Sequence, residues 1–173
     1  MKFKLDKTRR LVLAALLIAL SFIGAQLTLF YSIAFDSMPA FLAALVLGPV
    51  YGAAIGFLGH LLTAITSGFP LTLPLHIVIA FTMALTMLAF GYVFNFLKGR
   101  VQETIALVAT GITGVIFNGP ISLTFSILAL WLMVDSGAAL FLLTLLPVLL
   151  LASAINVVIA IILYRILQKV GIV

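Results

Sequence analysis

Five polar residues interrupt long apolar stretches of the sequence, and their types could support ligand recognition or proton transfer. They are Asp36, His60, His76, Asn118 and Asn156. Together, carboxylate, imidazole and carboxamide groups can donate and accept hydrogen bonds with a small polar molecule. The aspartate and the two histidines could instead be the acid–base groups of an intramembrane enzyme. If these stretches cross a membrane, burying such groups is costly and therefore indicates function.

Each of these residues also has an explanation that requires no ligand. Asp36 could be an acidic residue at a helix N-terminus, where the helix dipole favours negative charge. His60 could be a hydrogen-bonded packing residue, and His76 could lie in the headgroup layer. Asn118 precedes a Gly-Pro pair and could bond backbone groups that the proline leaves unpaired. The set is more informative than any one member, because the topology places all five at a similar depth.

The residue types that are missing exclude several kinds of chemistry. The sequence has no cysteine, which excludes disulfides, thiol catalysis and cysteine-bound zinc. It has neither a glycine loop followed by Lys-Ser/Thr nor a His-Glu-x-x-His motif. No chain of ionisable residues and no selectivity-filter sequence indicates a proton pump or a channel. We therefore expect no cofactor, no bound metal and no nucleic-acid partner, and a protein that depends on another subunit for energy.

The positive residues occur in three short clusters separated by long apolar stretches. All nine Lys and Arg lie within 2–10, at 98 and 100, or at 165 and 169. Hydrophobic residues make up 65% of the chain and charged residues 8%, against about 25% charged in soluble domains. Positive residues mark the cytoplasmic side of short membrane loops, so each apolar stretch should cross an even number of times. The sequence thus predicts a multi-pass plasma-membrane protein with both termini in the cytoplasm.

A transmembrane helix needs about 20 residues, so four crossings fit the first apolar stretch and two fit the second. We predict an all-α fold in which residues 1–173 form a single domain of six transmembrane helices. Their approximate ranges are 11–30, 38–48, 50–66, 74–97, 104–132 and 147–168. The second and third are short for a full crossing, and Asn118-Gly119-Pro120 interrupts the fifth. The first helix lacks a clear cleavage site after it, so we expect no removed signal peptide.

In this topology the five polar residues lie in the outer half of the membrane, above nearly aliphatic inner halves. This arrangement predicts a pocket that is open to the outside and closed toward the cytoplasm. Aromatic residues at the same level would suit a small flat organic ligand. These residues are Phe30, Tyr31, Phe35, Phe41 and Phe69.

Small residues repeat every four positions on two of the predicted helices. Gly48, Gly52 and Gly56 share one face of the third helix, and Ala15 and Ala19 share one face of the first. Such stripes let helices approach closely, either within the protein or against another subunit. The spacing alone does not separate these two interpretations.

Three segments resemble the substrate-binding S components of energy-coupling factor (ECF) vitamin transporters. They are KTRRLVLAALLIALSFIGA at 7–25, AFDSMPAFLAALVLGPVYGAAIGFLGHLL at 34–62 and INVVIAIILYRIL at 155–167. The resemblance covers nearly the whole chain, and its more specific feature is the Ala-x-x-x-Ala of the first helix. Residues 35–76 resemble most closely the S components assigned to α-ribazole, a cobalamin precursor.

The resemblance implies a six-helix S component that holds its ligand near the outer face and is not an enzyme. It also implies partners, namely a transmembrane coupling subunit (T component) and two ATPase subunits that drive uptake. Ala15 and Ala19 would contact the coupling subunit, and loops 31–37 and 66–74 would cover the ligand. With the polar residues above, the expected ligand contacts are Tyr31, Phe35, Asp36, His60, Phe69, His76, Asn118 and Asn156.

Other ligands and other classes of protein stay open at this stage. An S component could bind riboflavin, pantothenate, thiamin or a queuosine-type molecule in place of α-ribazole. An enzyme using His60, His76 and Asp36 would turn over a substrate. A structural or assembly subunit would bind no ligand, and its small-residue stripes would be its functional feature.

Overall fold

The computed structural model describes residues 6–26, 35–70, 72–133 and 136–172, and these residues are almost entirely helical. The elements are α1 (Lys7–Gln26), α2 (Met38–Val46), α3 (Pro49–Thr66), α4 (Leu73–Leu97), α5 (Glu103–Ile116), a π-helical turn (Phe117–Ile121), α6 (Ser122–Met133), α7 (Ser136–Phe141), a 3₁₀ turn (Leu142–Leu145) and α8 (Leu146–Lys169). Apart from one isolated bridge between Lys98 and Val101, the described part contains no β pairing. The predicted all-α fold is confirmed.

Prolines begin several of these helices, as the sequence indicates. Pro39, Pro49, Pro74 and Pro147 each lie in the first turn of their helix, where a missing N–H leaves no hydrogen bond unmade. Pro147 also separates α8 from the outer helical piece formed by α7 and the 3₁₀ turn, which matches the predicted division. The remaining long helix, α5 to α6, is continuous through the π turn.

Among the described residues, five helical stretches are long and apolar enough to cross a membrane. They are Lys7–Gln26, Pro49–Thr66, Leu73–Leu97, Glu103–Met133 and Ala139–Lys169. The remaining predicted helix is the second in the chain, α2. It has nine residues and a length of about 14 Å, which is less than half of a bilayer core. All six predicted helices are present, but α2 is too short to cross by itself.

The short helix α2 lies inside the bundle, packed by α1, α3, α4 and α8. It is apolar on every side, as a helix surrounded by protein should be, and Ala40, Phe41 and Ala43 have no exposed surface. Gly48 follows it with a φ of 106°, which a glycine adopts readily, and Pro49 starts α3 directly. The result is a tight α2–α3 hairpin around which the longer helices pack.

The glycines of α3 and α4 serve packing within the chain. A Cβ on Gly52 would lie 2.6 Å from the Ala44 side chain, and one on Gly91 would lie 2.8 Å from Pro49. Gly56 likewise faces Met87. Of the two interpretations of the glycine stripe, close packing inside the protein is therefore the one observed for Gly52 and Gly56.

The basic clusters gather at one end of the bundle. Arg165 near the end of α8 donates to Glu103 at the start of α5, with a distance of 3.0 Å between Nη1 and Oε2. Lys98 ends α4 only five residues before Glu103. The first turn of α1 belongs to the same end, because the last turns of α1 pack beside the second half of α3, near the start of α4. The opposite end contains the polar residues of the next section.

Candidate ligand-binding cavity

A cavity of about 310 Å³ lies at the end of the bundle away from the basic clusters. Residues before α2 and from α3, α4, the π turn, α6, the 3₁₀ turn and α8 all contribute to its wall. Its lining residues are Asp36, Ser37, His60, Pro70, Leu75, His76, Ile79, Met83, Asn118, Ser122, Leu123, Ser126, Leu142, Leu145, Leu149, Ala152, Ser153 and Asn156. Small-molecule sites have this character: an apolar wall with a few placed polar groups.

The structure brings all five isolated polar residues into this one cavity. Asp36, His60, His76, Asn118 and Asn156 come from five different segments, and each contributes to the lining. The explanations that require no ligand apply to each residue separately, and they do not account for this convergence. It is the main structural support for a binding site.

The predicted aromatic residues are placed differently. Phe35 and Phe69 are not among the lining residues, and Phe69 instead packs edge-on to the His76 ring with 5.9 Å between centroids. Phe41 is buried in the core against Phe90, with centroids 4.8 Å apart. Phe30 and Tyr31 lie outside the described residues. Where the structure describes the wall, its apolar part is aliphatic.

His60 and His76 form a hydrogen-bonded pair at the cavity. The Nε2 of His76 lies 2.9 Å from the Pro70 carbonyl oxygen, so this nitrogen must carry the proton and donate. In a neutral ring the Nδ1 of His76 is then an acceptor, and it lies 3.2 Å from the Nε2 of His60, which donates to it. The pair thus ties α3, α4 and the loop between them together.

Asp36 is held by α1 just before α2 begins. The Ser21 hydroxyl donates to its carbonyl oxygen, and the N–H of the preceding Phe35 donates to the Gly24 carbonyl at 3.1 Å. Burial raises the pKa of the Asp36 carboxyl group, although backbone hydrogen bonds from Ser37 and from Asp36 itself oppose that shift. This residue lies outside the membrane-spanning helices.

Asn156 connects α8 to the start of α2. Its Oδ1 accepts from the Met38 N–H at 2.9 Å, and its Nδ2 donates to the Ala152 carbonyl at 2.9 Å. The N-terminal N–H groups of a helix lack partners within the helix, so this contact satisfies one of them. Asn156 lines the cavity, but these two contacts give it a role in positioning α2.

The interruption predicted at Asn118-Gly119-Pro120 is a π-helical turn, Phe117–Ile121, with Pro120 inside it. The widened turn accommodates the proline without ending the helix, and such turns are frequent at functional sites. Asn118 donates from Nδ2 to the Ser153 hydroxyl of α8 at 2.9 Å. The turn therefore carries Asn118 into the cavity wall.

Serine hydroxyls are the lining groups that the sequence analysis missed. Ser122 and Ser126 are one turn apart on α6, and Ser153 precedes Asn156 by three residues on α8. Ser126 donates to the Ser122 carbonyl at 2.9 Å, and the Ser122 and Thr82 hydroxyls are 2.8 Å apart. The four-residue spacing of two serines after the π turn could have indicated them.

Ala15 and Ala19 do not line this cavity and lie on the outer surface of α1. Both are exposed, as are Leu16 and Leu20 beside them. This alanine stripe therefore differs from the glycine stripe of α3, because no helix of the described chain covers it.

Comparisons with known proteins agree on the architecture. The family model described as "ECF transporter, substrate-specific component" matches residues 9–167. A solved structure titled "Structure and mechanism of the S component of a bacterial ECF transporter" is similar with a TM-score of 0.65. That likeness has 18% sequence identity and covers 95% of this chain and 98% of the other. The comparison with curated proteins gave no match.

Because the sequence identity to the solved structure is low, that likeness supports the fold alone. The family model matches most of the chain and therefore supports family membership. Family membership implies a ligand and an energising module in general. The chain therefore belongs to the substrate-specific components of ECF transporters, which are integral membrane transport subunits and not enzymes.

Proposed function

We propose that this chain captures a vitamin or vitamin precursor in the cavity from the outer face of the plasma membrane. The observation that carries the proposal is the convergence of five isolated polar residues in one cavity of about 310 Å³. This volume is at the lower end of the range for small-molecule sites, which favours a single compact ligand.

Our best candidate for that ligand is α-ribazole, because residues 35–76 resemble the S components assigned to it. Its benzimidazole could lie against the aliphatic wall near Leu75, Ile79 and Leu123, and its ribose hydroxyls could bond Asp36 and Asn118. Riboflavin and pantothenate are the alternatives within the same function.

The charge distribution supports an orientation with both termini in the cytoplasm. The basic clusters share one end of the bundle, and positive residues are retained on the cytoplasmic side. The cavity is at the other end, so in this orientation it faces outward.

The exposed alanine stripe of α1 supports a contact with the coupling subunit of the transporter. Ala15 and Ala19 leave a shallow surface on which another helix can approach closely. In the proposed cycle, two ATPase subunits act through that coupling subunit to deliver the ligand inward.

A ligand screen of the purified chain tests the proposal. Water-soluble vitamins and their precursors, α-ribazole included, would be added one at a time while the melting temperature is measured. A ligand present at 100 times its Kd should stabilise the protein by about 2.7 kcal/mol. Absence of stabilisation by every compound would contradict a vitamin-binding function, and stabilisation by another vitamin alone would contradict α-ribazole.

A further inference from the structure

The described lining of the cavity has one carboxylate and no side chain that is always positive. Asp36 is the only Asp, Glu, Lys or Arg among its described lining residues. The segments that the structure does not describe cannot supply a cation from within the membrane, since the sequence has no Lys or Arg at 11–97 or 101–164. Along α8, Arg165 is nine residues from Asn156, or about 14 Å.

Several N–H and O–H donors in the wall already donate to protein acceptors. His76 Nε2 donates to Pro70, Asn156 Nδ2 donates to Ala152, and Ser126 donates to the Ser122 carbonyl. The Thr82 hydroxyl donates its one hydrogen to the Ile79 carbonyl at 2.9 Å. In the contact between the Thr82 and Ser122 hydroxyls, the donor must therefore be Ser122.

What Asp36, Ser122 and Ser126 offer to a ligand is acceptor capacity, while the Asn118 carboxamide, which donates once to Ser153, carries a second N–H. A hydroxyl whose hydrogen is already engaged in a hydrogen bond can only accept from a further partner, and a carboxylate can only accept. The side-chain oxygens of Asp36, Ser122 and Ser126 can therefore accept hydrogen bonds from hydroxyl, amino or ammonium groups of a ligand.

From this arrangement we infer that the cavity selects neutral or cationic ligands that are rich in hydrogen-bond donors, and that it rejects carboxylates and phosphates. The inference rests on the proposed function and adds the charge class of the ligand. Among the candidates it favours nucleoside-like, polyol or cationic molecules, and it disfavours pantothenate, which has a carboxylate.

The expected discrimination is large because a bound anion would have no buried counter-charge. An anion a few ångströms from an ionised Asp36 would be repelled, and it would lose hydration that the wall cannot replace. If Asp36 is protonated, the loss of hydration still opposes binding. We expect an anionic analogue to bind about 100-fold more weakly than its neutral counterpart.

Matched pairs of ligands test this directly. Titrations at about pH 8, above the ordinary imidazole pKa of about 6.5, would compare α-ribazole with its 5′-phosphate, riboflavin with its 5′-phosphate, thiamin with its monophosphate, and pantothenol with pantothenate. Binding of the uncharged or cationic member alone supports the inference. Equal or tighter binding of an anionic member overturns it and leaves the transport function intact. Binding of no member overturns both.

Two variants identify the residue responsible. Asp36→Asn should weaken binding of the preferred ligand at least 10-fold. It should also lower the ratio of that ligand's affinity to the affinity of its anionic counterpart. Asp6→Asn changes an exposed aspartate at the start of α1 and should leave both affinities unchanged. An unchanged affinity ratio in Asp36→Asn would overturn the role of Asp36 in charge selection.

Discussion

Asn118 and Asn156 are the same residue type in one cavity wall, yet their contacts differ. Asn156 accepts from a backbone N–H that starts α2, whereas Asn118 donates to a serine hydroxyl at the π turn. A buried backbone group without a partner costs more free energy than an unmade bond between two side chains. The two asparagines should therefore separate stability from ligand binding.

We expect Asn156→Ala to lower the stability of the empty protein by about 1–3 kcal/mol, because the Met38 N–H would lose its acceptor. Asn118→Ala should lower stability less and should weaken ligand binding more. Melting temperatures without ligand and titrations of the ligand found in the screen measure both effects. The reverse order of the two stability losses would contradict the assigned roles.

Asp36 should make the empty protein less stable as the pH rises. Its pKa is raised in the folded state, so the folded protein holds this proton more tightly than the unfolded chain, whose Asp has a pKa of about 3.9. The associated stability is present below that value and is lost as the pH rises through the folded-state pKa. Asp36→Asn should remove this loss.

Melting temperatures of the empty wild type and Asp36→Asn from pH 4.5 to 9 measure the effect. The advantage of the variant should grow with pH. All other groups are the same in both proteins and largely cancel in the difference. An advantage that shrinks with rising pH would contradict the raised pKa.

For single residues, the sequence predicts which rare polar side chains line the cavity better than it predicts which common ones do. A lone aspartate or histidine in an apolar helix is conspicuous, and all five such residues reach the cavity. Ser122, Ser126 and Ser153 are less conspicuous, because a serine within a helix can bond its own backbone, as Ser126 does. Nor does the pattern of rings in the sequence tell which ones face the core, as Phe41 does against Phe90.

Among the elements, α4 packs against its neighbours through a glycine that has no room for a methyl group. A Cβ at Gly91 would meet the backbone and ring of Pro49, and neither can rotate away. At Gly111 the nearest atoms are the ends of the Ile161 and Val157 side chains, at 3.3 and 3.4 Å. The same substitution at the two sites should thus have different results.

We expect Gly91→Ala to destabilise the protein by about 1–3 kcal/mol, since overpacking would force α4 away from the start of α3. Gly111→Ala should be close to neutral, because small side-chain shifts are offset by the better helix propensity of alanine. Thermal unfolding of both variants in the same detergent provides the comparison. Equal losses would contradict the difference in packing.

The alanine stripe of α1 provides a test that separates binding from transport. We expect Ala15→Trp to leave ligand affinity unchanged, because this side chain is exposed and does not line the cavity. Uptake by cells that contain the whole transporter should be abolished, because the bulky ring would block the proposed contact with the coupling subunit. Leu85→Trp, at an exposed position on α4 away from this stripe, is a control for bulk and should keep uptake. Loss of affinity and uptake together would contradict the assignment.

The elements also show where sequence-based prediction stops. Helix ends marked by proline, such as Pro49 and Pro147, are predicted within a few residues. The depth of α2 could not be predicted, because an apolar segment of this length reads alike whether lipid or protein surrounds it. Only its packing against four other helices shows that it is an internal element.

The molecule has a polar cavity at one end and, among the described residues, its basic side chains at the other. Because the sequence has no cysteine, single introduced cysteines can report which end is outside. Ser67→Cys would lie on the exposed loop after α3, and Gln102→Cys on the exposed segment before α5. These positions mark the two ends.

We expect a membrane-impermeant thiol reagent to label Ser67→Cys in intact cells and Gln102→Cys only after permeabilisation. Retained ligand binding by both variants would show that they are folded. The opposite labelling pattern would place the cavity toward the cytoplasm and would contradict the proposed direction of capture.

Residues 35–38, which lead into α2, are fastened on both sides. Phe35 and Asp36 are tied to α1 through Gly24 and Ser21, while the Met38 amide is tied to α8 through Asn156. In the proposed complex a ligand would meet Asp36 on a backbone that is already in place, so less conformational entropy would be lost when it binds.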